Sequence, residues 1–287
     1  MVACARPSAD GDGASPSVVA AGFPLSADSV GALLAAGDVA MCTVGATETA
    51  RILDTLPGDI IVLGDAAYSS ERDPNPYITC YDSTWGRHKR RTHPALGNHD
   101  METLGKYFDY FGVMAGPRPG GYYSFDVGRW HVLALNSNID MGPRSAQGRW
   151  AAADLAAHRT ICTLAYMHHP RFSSGPHVKN RLVFPMWRLL DSAGVDVVIS
   201  GHDHIYERFA PMRRNGTRDD RNGVRQFVAG TGGAHLYEIE QVDPNSEARS
   251  SEAYGILKLT LSPGRYTWQF VPTAPSAFTD AGSGTCH

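Results

Sequence analysis

The stretch VDVVISGHDHIYER, residues 195–208, decides how this chain is read. Val195–Ile199, apolar apart from Asp196, reads as a buried strand. After Ser200 it leads into Gly201-His202-Asp203-His204. Alternating histidines at one strand end put two imidazoles close together, and a purely structural need for both is hard to find. Imidazole is a common metal ligand, so the motif points to a bound ion.

The same arrangement recurs upstream. Val30–Ala36 ends in Gly37-Asp38, and Ile60–Leu63 ends in Gly64-Asp65. Pro94–Leu96 precedes Gly97-Asn98-His99-Asp100, and Ile161–Met167 ends in His168-His169-Pro170. Between these runs, residues 46–56, 102–111, 145–157 and 181–192 read as helices, the last despite Pro185. Tyr122–Phe125 and Trp130–Leu135 read as strands joined by a turn. Alternating strands and helices predict an α/β fold, where ligand sites gather at the carboxyl ends of strands. Past residue 208 the helical signals stop. Val224–Ala229, Tyr254–Leu261 and Tyr266–Val271 read as strands, and 272–287 as a loop. Residues 1–28 read as a flexible leader with a short extended piece at Val18–Phe23. That leaves one domain over 29–287.

Every strand-end donor is an oxygen or an imidazole, a set suited to zinc, iron or manganese. Seven candidates suit two ions better than one. A shared carboxylate can bridge ions roughly 3.5–4 Å apart, and Asp65, central in the set, is the expected bridge.

At these residues the chain resembles the calcineurin-like metallophosphoesterases, and within them the purple acid phosphatase branch. The resemblance rests on Gly37-Asp38, Gly64-Asp65-Ala66-Ala67-Tyr68, Gly97-Asn98-His99-Asp100, Ala165-Tyr166-Met167-His168 and Gly201-His202-Asp203-His204. Ile205-Tyr206-Glu207-Arg208 also looks like that branch. The resemblance implies a four-layer αββα sandwich, two mixed β-sheets flanked by helices. It implies a first metal on Asp38, Asp65, Tyr68 and His204, and a second on Asp65, Asn98, His168 and His202. It further implies hydrolysis of phosphate esters by attack of a metal-bound hydroxide, with monoesters the expected substrates. A phosphodiesterase or nucleotide hydrolase with the same centre is the alternative, and a non-catalytic phosphate- or metal-binding module the remote one. His99 would protonate the leaving oxygen, oriented by Asp100. His99, His177 and Asn98 would contact substrate.

Two departures from the family pattern are informative. Most of the wider family carries a ligating histidine where this chain has Ala40, and Tyr68 replaces it as donor. Ala165 stands where valine is frequent, a packing difference. Two aspartates and a phenolate carry three negative charges. A trivalent plus a divalent ion therefore leaves the centre net positive by two, attractive to a phosphate dianion. The expected pair is Fe(III) with Zn, Fe or Mn. The remaining histidines, His88, His93, His131, His158, His235 and His287, read as structural or exposed. The aromatics Trp85, Tyr107, Phe108, Tyr110 and Phe111 read as core.

Composition agrees with an enzyme-sized globular chain of 287 residues, 43% hydrophobic. No apolar stretch approaches the roughly 20 residues that cross a bilayer. A net charge of −3, with no basic block, argues against a nucleic-acid partner. A small-molecule phosphate ester is the expected partner.

The five cysteines, Cys4, Cys42, Cys80, Cys162 and Cys286, form no CxxC pair. They read either as reduced thiols or as two disulfides plus Cys4. In the second case the protein is exported. The run Val2-Ala3-Cys4 resembles the end of a lipoprotein signal, which would make Cys4 a lipid anchor if an upstream segment existed. Cys42 and Cys80 follow neighbouring strand ends, so Cys42–Cys80 is one expected bridge. Cys162, placed at the opposite edge of the sheet, is expected to meet Cys286 in the tail.

Overall fold

The computed structural model describes residues 30–158, 162–177, 181–274 and 278–287. The leader, its extended piece and Cys4 lie outside them.

The chain begins β1 (Gly31–Ala36), α1 (Val44–Thr55), β2 (Asp59–Leu63), β3 (Thr92–Ala95), α2 (Asn98–Glu102) and α3 (Leu104–Phe111). It continues with β4 (Tyr123–Val127), β5 (Trp130–Ala134), α4 (Ala146–Ala157), β6 (Cys162–Tyr166), α5 (Phe184–Ala193) and β7 (Val197–Ser200). It closes with β8 (Tyr206–Phe209), β9 (Arg225–Ala229), β10 (Ser246–Ser250), β11 (Gly255–Ser262), β12 (Arg265–Pro272) and β13 (Ala281–Thr285).

These strands form two mixed sheets. One has the order β13-β12-β11-β1-β2-β3, the other β10-β8-β9-β7-β6-β5-β4. Side-chain alternation explains how they stack. On β1, Leu33 and Ala35 enter the core between the sheets, with Ile61, Val132, Leu164, Ile199 and Phe227. Leu34 and Ala36 face outward to Ala46, Ala50 and Leu53 of α1. On the other sheet, Leu133, Ala165 and Val198 meet Leu155 of α4 and Trp187 and Leu190 of α5. The result is the expected αββα sandwich. Strands buried on both faces are why the site-bearing runs read as unbroken apolar stretches.

Pro185 is no obstacle to α5, because it occupies the first turn, where an amide donor has no partner to lose. The aromatics Trp85, Tyr107, Phe108, Tyr110 and Phe111 are all buried, as expected.

Three expectations need correction. The helix placed at 102–111 is two helices, and the first starts at Asn98, inside the motif. The tail is not all loop, since β13 pairs antiparallel with β12 from Gln269–Ala281 to Arg265–Thr285. Its sequence, AGSGT, has no apolar periodicity to announce a strand. Cys42–Cys80 and Cys162–Cys286 both form. However, Cys162 opens β6, well inside the seven-stranded sheet, so its bridge joins the two sheets rather than two edges of one.

His131 carries an ion-pair cluster far from the motifs. Its Nδ1 lies 2.8 Å from Asp126 and its Nε2 2.6 Å from Asp154. The His158 ring stacks on it at 3.7 Å. Burial works against the charged ring, but hydrogen bonds to Asp126 and Asp154 outweigh it and lift His131 to about 9. A raised folded value means this stabilisation is complete below the unfolded value near 6.5 and disappears as pH climbs through about 9. We therefore expect His131→Gln to lose on the order of 3 kcal/mol of unfolding free energy at pH 6 and much less at pH 10. Denaturant unfolding of both proteins at the two pH values tests this, and a pH-independent difference would refute it.

Candidate metal centre

The parallel strands deliver the motifs to one place. In the first sheet β1, β2 and β3 run parallel; in the second, β5, β6, β7 and β9 do. Their carboxyl ends meet where the sheets come together. Gly37 donates its N–H to Ala229 of the opposite sheet at 2.9 Å, and His202 donates its N–H to the Asp38 carboxylate at 2.8 Å.

The backbone there is held in costly conformations. Asp38, Asp65 and His202 have φ of 60°, 48° and 70°. Left-handed backbone costs a non-glycine residue about 1–3 kcal/mol and persists where function requires it. Three of the four positive-φ non-glycine residues among those described are expected ligands; Cys42 is the fourth. Gly64, at φ 82°, cannot be replaced, because a Cβ there would lie 2.5 Å from the His168 ring.

The seven expected ligands converge in two groups. In one, the Tyr68 hydroxyl lies 3.2 Å from Asp38 and 3.2 Å from His204 Nε2, which is itself 3.3 Å from Asp38. In the other, His168 Nε2 lies 3.0 Å from Asn98 Oδ1, 3.3 Å from Asp65 and 3.1 Å from His202 Nδ1. Asp38, Asp65 and His168 each offer an atom within 4.8 Å of the others, which brings the two groups together. Backbone acceptors orient two of the rings. His168 Nδ1–H donates to the Leu63 carbonyl at 2.9 Å and His204 Nδ1–H to that of His235 at 2.6 Å. In the neutral ring, each Nε2 is left with the lone pair on the side of the other donor atoms. This set, mostly buried and made of carboxylate, phenol, amide and imidazole, fits a pair of small hard-to-borderline cations.

As the side chains stand, they share charge among themselves. Burial raises Asp38, but His204, His168 and His202 overcome it and hold the carboxyl at about 2. Burial lowers His168, yet Asp65 and Asp38 lift it to about 9. Burial next to His168 and His169 pushes His202 down to about 2. Burial and the charges of Asp38 and Asp65 push the Tyr68 phenol far up, so a phenolate there requires a cation. Ala40, beside it, bridges to Ala67 and leaves the position to Tyr68.

Around the ligands, two expectations divide. His99 stands at the rim, its ring 4.6 Å from Tyr68. Asp100 does not orient it. The Asp100 carboxylate is buried and accepts from Gly97 N–H, Ala66 N–H and the Tyr77 hydroxyl at 2.8, 3.3 and 2.7 Å. Burial, then the charge of Asp65, lifts it to about 7. The carboxylate beside His99 is Glu102, 3.3 Å from Nδ1. A helix beginning at Asn98 explains the exchange: residues three apart share a face, and adjacent ones do not. His177 does reach the site, its ring 4.3 Å from His202. Three further residues escaped the sequence reading. Tyr237 stacks on His204 at 4.0 Å, His169 lies 4.3 Å from His202, and buried Asp203 holds His177. His169 directly follows an expected ligand, the only signal that could have singled it out.

Fold and donor set together define a metal-dependent phosphoesterase scaffold, and the family pattern for calcineurin-like phosphoesterase matches residues 32–206. The chain belongs to that family. Within it, the chain is like the purple acid phosphatases. It is 35% identical over 149 residues to purple acid phosphatase 22 of Arabidopsis thaliana, covering 48% of this chain and 34% of that one. It is 25% identical over 254 residues to purple acid phosphatase 23 of the same plant, covering 75% and 55%. The structure of purple acid phosphatase PPD1 from yellow lupin seeds superposes with a TM-score of 0.71 at 18% identity, over 90% of this chain and 54% of that one. The chain thus spans between a third and just over half of these relatives.

Proposed function

We propose that this chain is a metal-dependent phosphatase that hydrolyses phosphate monoesters at a dinuclear centre. The observation that carries this is the convergence of seven donors from both sheets, three of them on strained left-handed backbone. Because ligands come from both sheets, residues 29–287 act as one catalytic domain. Asp38, Asp65, Tyr68 and His204 would hold one ion, and Asp65, Asn98, His168 and His202 the other. When bound, such ions supply Lewis acidity toward phosphate oxygens and acidify a water.

The chain's own groups do the rest. His99, at the rim, carries a proton toward the leaving oxygen, while the Glu102 carboxylate, 3.3 Å from its Nδ1, pairs with the charged ring. His177 stands over His202 on the substrate side and contacts the phosphate. Two disulfides suit an oxidising compartment, which supports export. Among the described residues no helix is long and apolar enough to cross a membrane.

Metal-loaded protein is expected to release p-nitrophenol from p-nitrophenyl phosphate faster than from its bis ester. Release from neither, across several metals and pH values, would defeat the enzyme reading. Tyr68 adds a second test, since a phenolate is a hard donor that suits Fe(III). Protein grown with iron and purified in air should be coloured by charge transfer. Tyr68→Phe should lose the band before it loses all activity. A colourless, fully active protein holding two zinc or two manganese ions would overturn the iron assignment and leave the hydrolase standing.

A further inference from the structure

We propose that Asp203, the residue between the two motif histidines, is a positioning residue that holds His177 over the site to receive a phosphate oxygen. This rests on the reading that His177 contacts the phosphate. Asp203 is fully buried. Its Oδ1 accepts both the backbone N–H of His177, at 3.2 Å, and Nδ1–H of the same ring, at 2.7 Å. A carboxylate there can only accept, so Nδ1 must carry the proton and the ring's other nitrogen points away from Asp203. Half-exposed and 4.3 Å from the His202 ring, that ring is turned to where substrate must enter. Tyr237 closes the other side, its ring 5.9 Å from His177.

Three features separate this role from a merely structural one. Asp203 Oδ2 is buried with no hydrogen-bond partner among the described residues. A half-satisfied buried carboxylate costs stability, so holding the loop alone does not explain it. The loop before His177 also has anchors of its own. Glu207 takes the Ser174 N–H at 2.8 Å and the Ser174 hydroxyl, and Gln226 takes the Phe172 N–H at 3.1 Å. Asp203 holds only the end that bears the imidazole. Finally, the loop is built to touch it, because a Cβ on Gly175 would lie 2.8 Å from the Asp203 carboxyl carbon.

The test is a double-mutant cycle read by calorimetric binding of inorganic phosphate to the metal-loaded protein, with KM and kcat for p-nitrophenyl phosphate alongside. Wild-type protein should bind phosphate. His177→Ala and the near-isosteric Asp203→Asn should each weaken binding by about 10-fold to 100-fold and raise KM similarly. The double variant should be no worse than His177→Ala, and metal content by mass spectrometry should match wild type in all three. An ineffective His177→Ala would overturn the reading of His177 itself. An effective His177→Ala with a silent Asp203→Asn, or with losses that multiply in the double variant, would overturn Asp203 alone. Loss of metal in Asp203→Asn would also overturn it, by placing the effect on His202 and His204. Gly175→Ala gives a second handle that leaves every ionisable group in place, and it should reproduce the Asp203→Asn weakening; wild-type phosphate affinity in that variant would count against the contact.

Discussion

Asp65→Asn is expected to lower kcat/KM by about 10⁴-fold, on the order of 5.5 kcal/mol of transition-state stabilisation, and to strip the protein of metal. The choice of asparagine isolates the charge. Asp65 sits at φ 48°, and asparagine tolerates left-handed backbone where alanine does not. Its side-chain oxygen can still accept the His99 N–H that Asp65 Oδ1 accepts at 2.8 Å. What disappears is the negative charge of the proposed bridge, whose carboxylate has an atom within 4.8 Å of Asp38 and of His168. Losing one bridging anion weakens both sites together, so metal content should fall for both ions in parallel. Elemental analysis of dialysed wild type and variant, with steady-state rates on an aryl phosphate, is the measurement. A variant that keeps two ions and activity within 10-fold would refute the bridge.

His99→Ala is expected to leave metal content unchanged and lower kcat by about 10²–10⁴-fold, the usual worth of a positioned general acid. The ring is not among the converging donors, and its Nδ1 faces Glu102, so removing it leaves those donors in place. The loss should shrink for esters whose leaving groups are acidic enough to depart without a proton. Glu102→Gln should show the same leaving-group dependence with a smaller loss, because it acts through the ring. Asp100→Asn, by contrast, should act on the tie between the Ala66 and Gly97 loops, whose N–H groups Asp100 Oδ2 accepts, with no dependence on the leaving group. An equal loss in His99→Ala for all leaving groups would reassign the ring to phosphate binding.

The candidate ligands were legible for a local reason. A strand buried on both faces tolerates only apolar residues, so the first polar residues after it stand at the mouth of the sheet. Asp38, Asp65, His168 and His202 each follow such a run and lie where that logic puts them. The roles around them were less legible. His99, Asp100 and Glu102 share one turn of α2, and which carboxylate meets the imidazole depends on where the helix begins. The resemblance offered the adjacent acid as the partner, and the helix start at Asn98 is what sets Glu102 on the face of His99. Tyr237 and the His235 carbonyl come from a segment with no motif, more than 30 residues after His204 in the chain.

The sequence by itself determined the two-sided strands and the oxygen and imidazole donors at their ends, offered Tyr68 as a donor where Ala40 cannot serve, and offered both disulfide pairings as one of the two readings of the cysteines. These depend on residue type and order along the chain. Only the tertiary structure decided which sheet each strand joins, that β13 exists, and which buried carboxylate serves which histidine. Those are set by backbone pairing and side-chain direction between segments far apart in the chain. A polar edge strand or a buried aspartate makes contacts that leave no periodic trace in the residues around it.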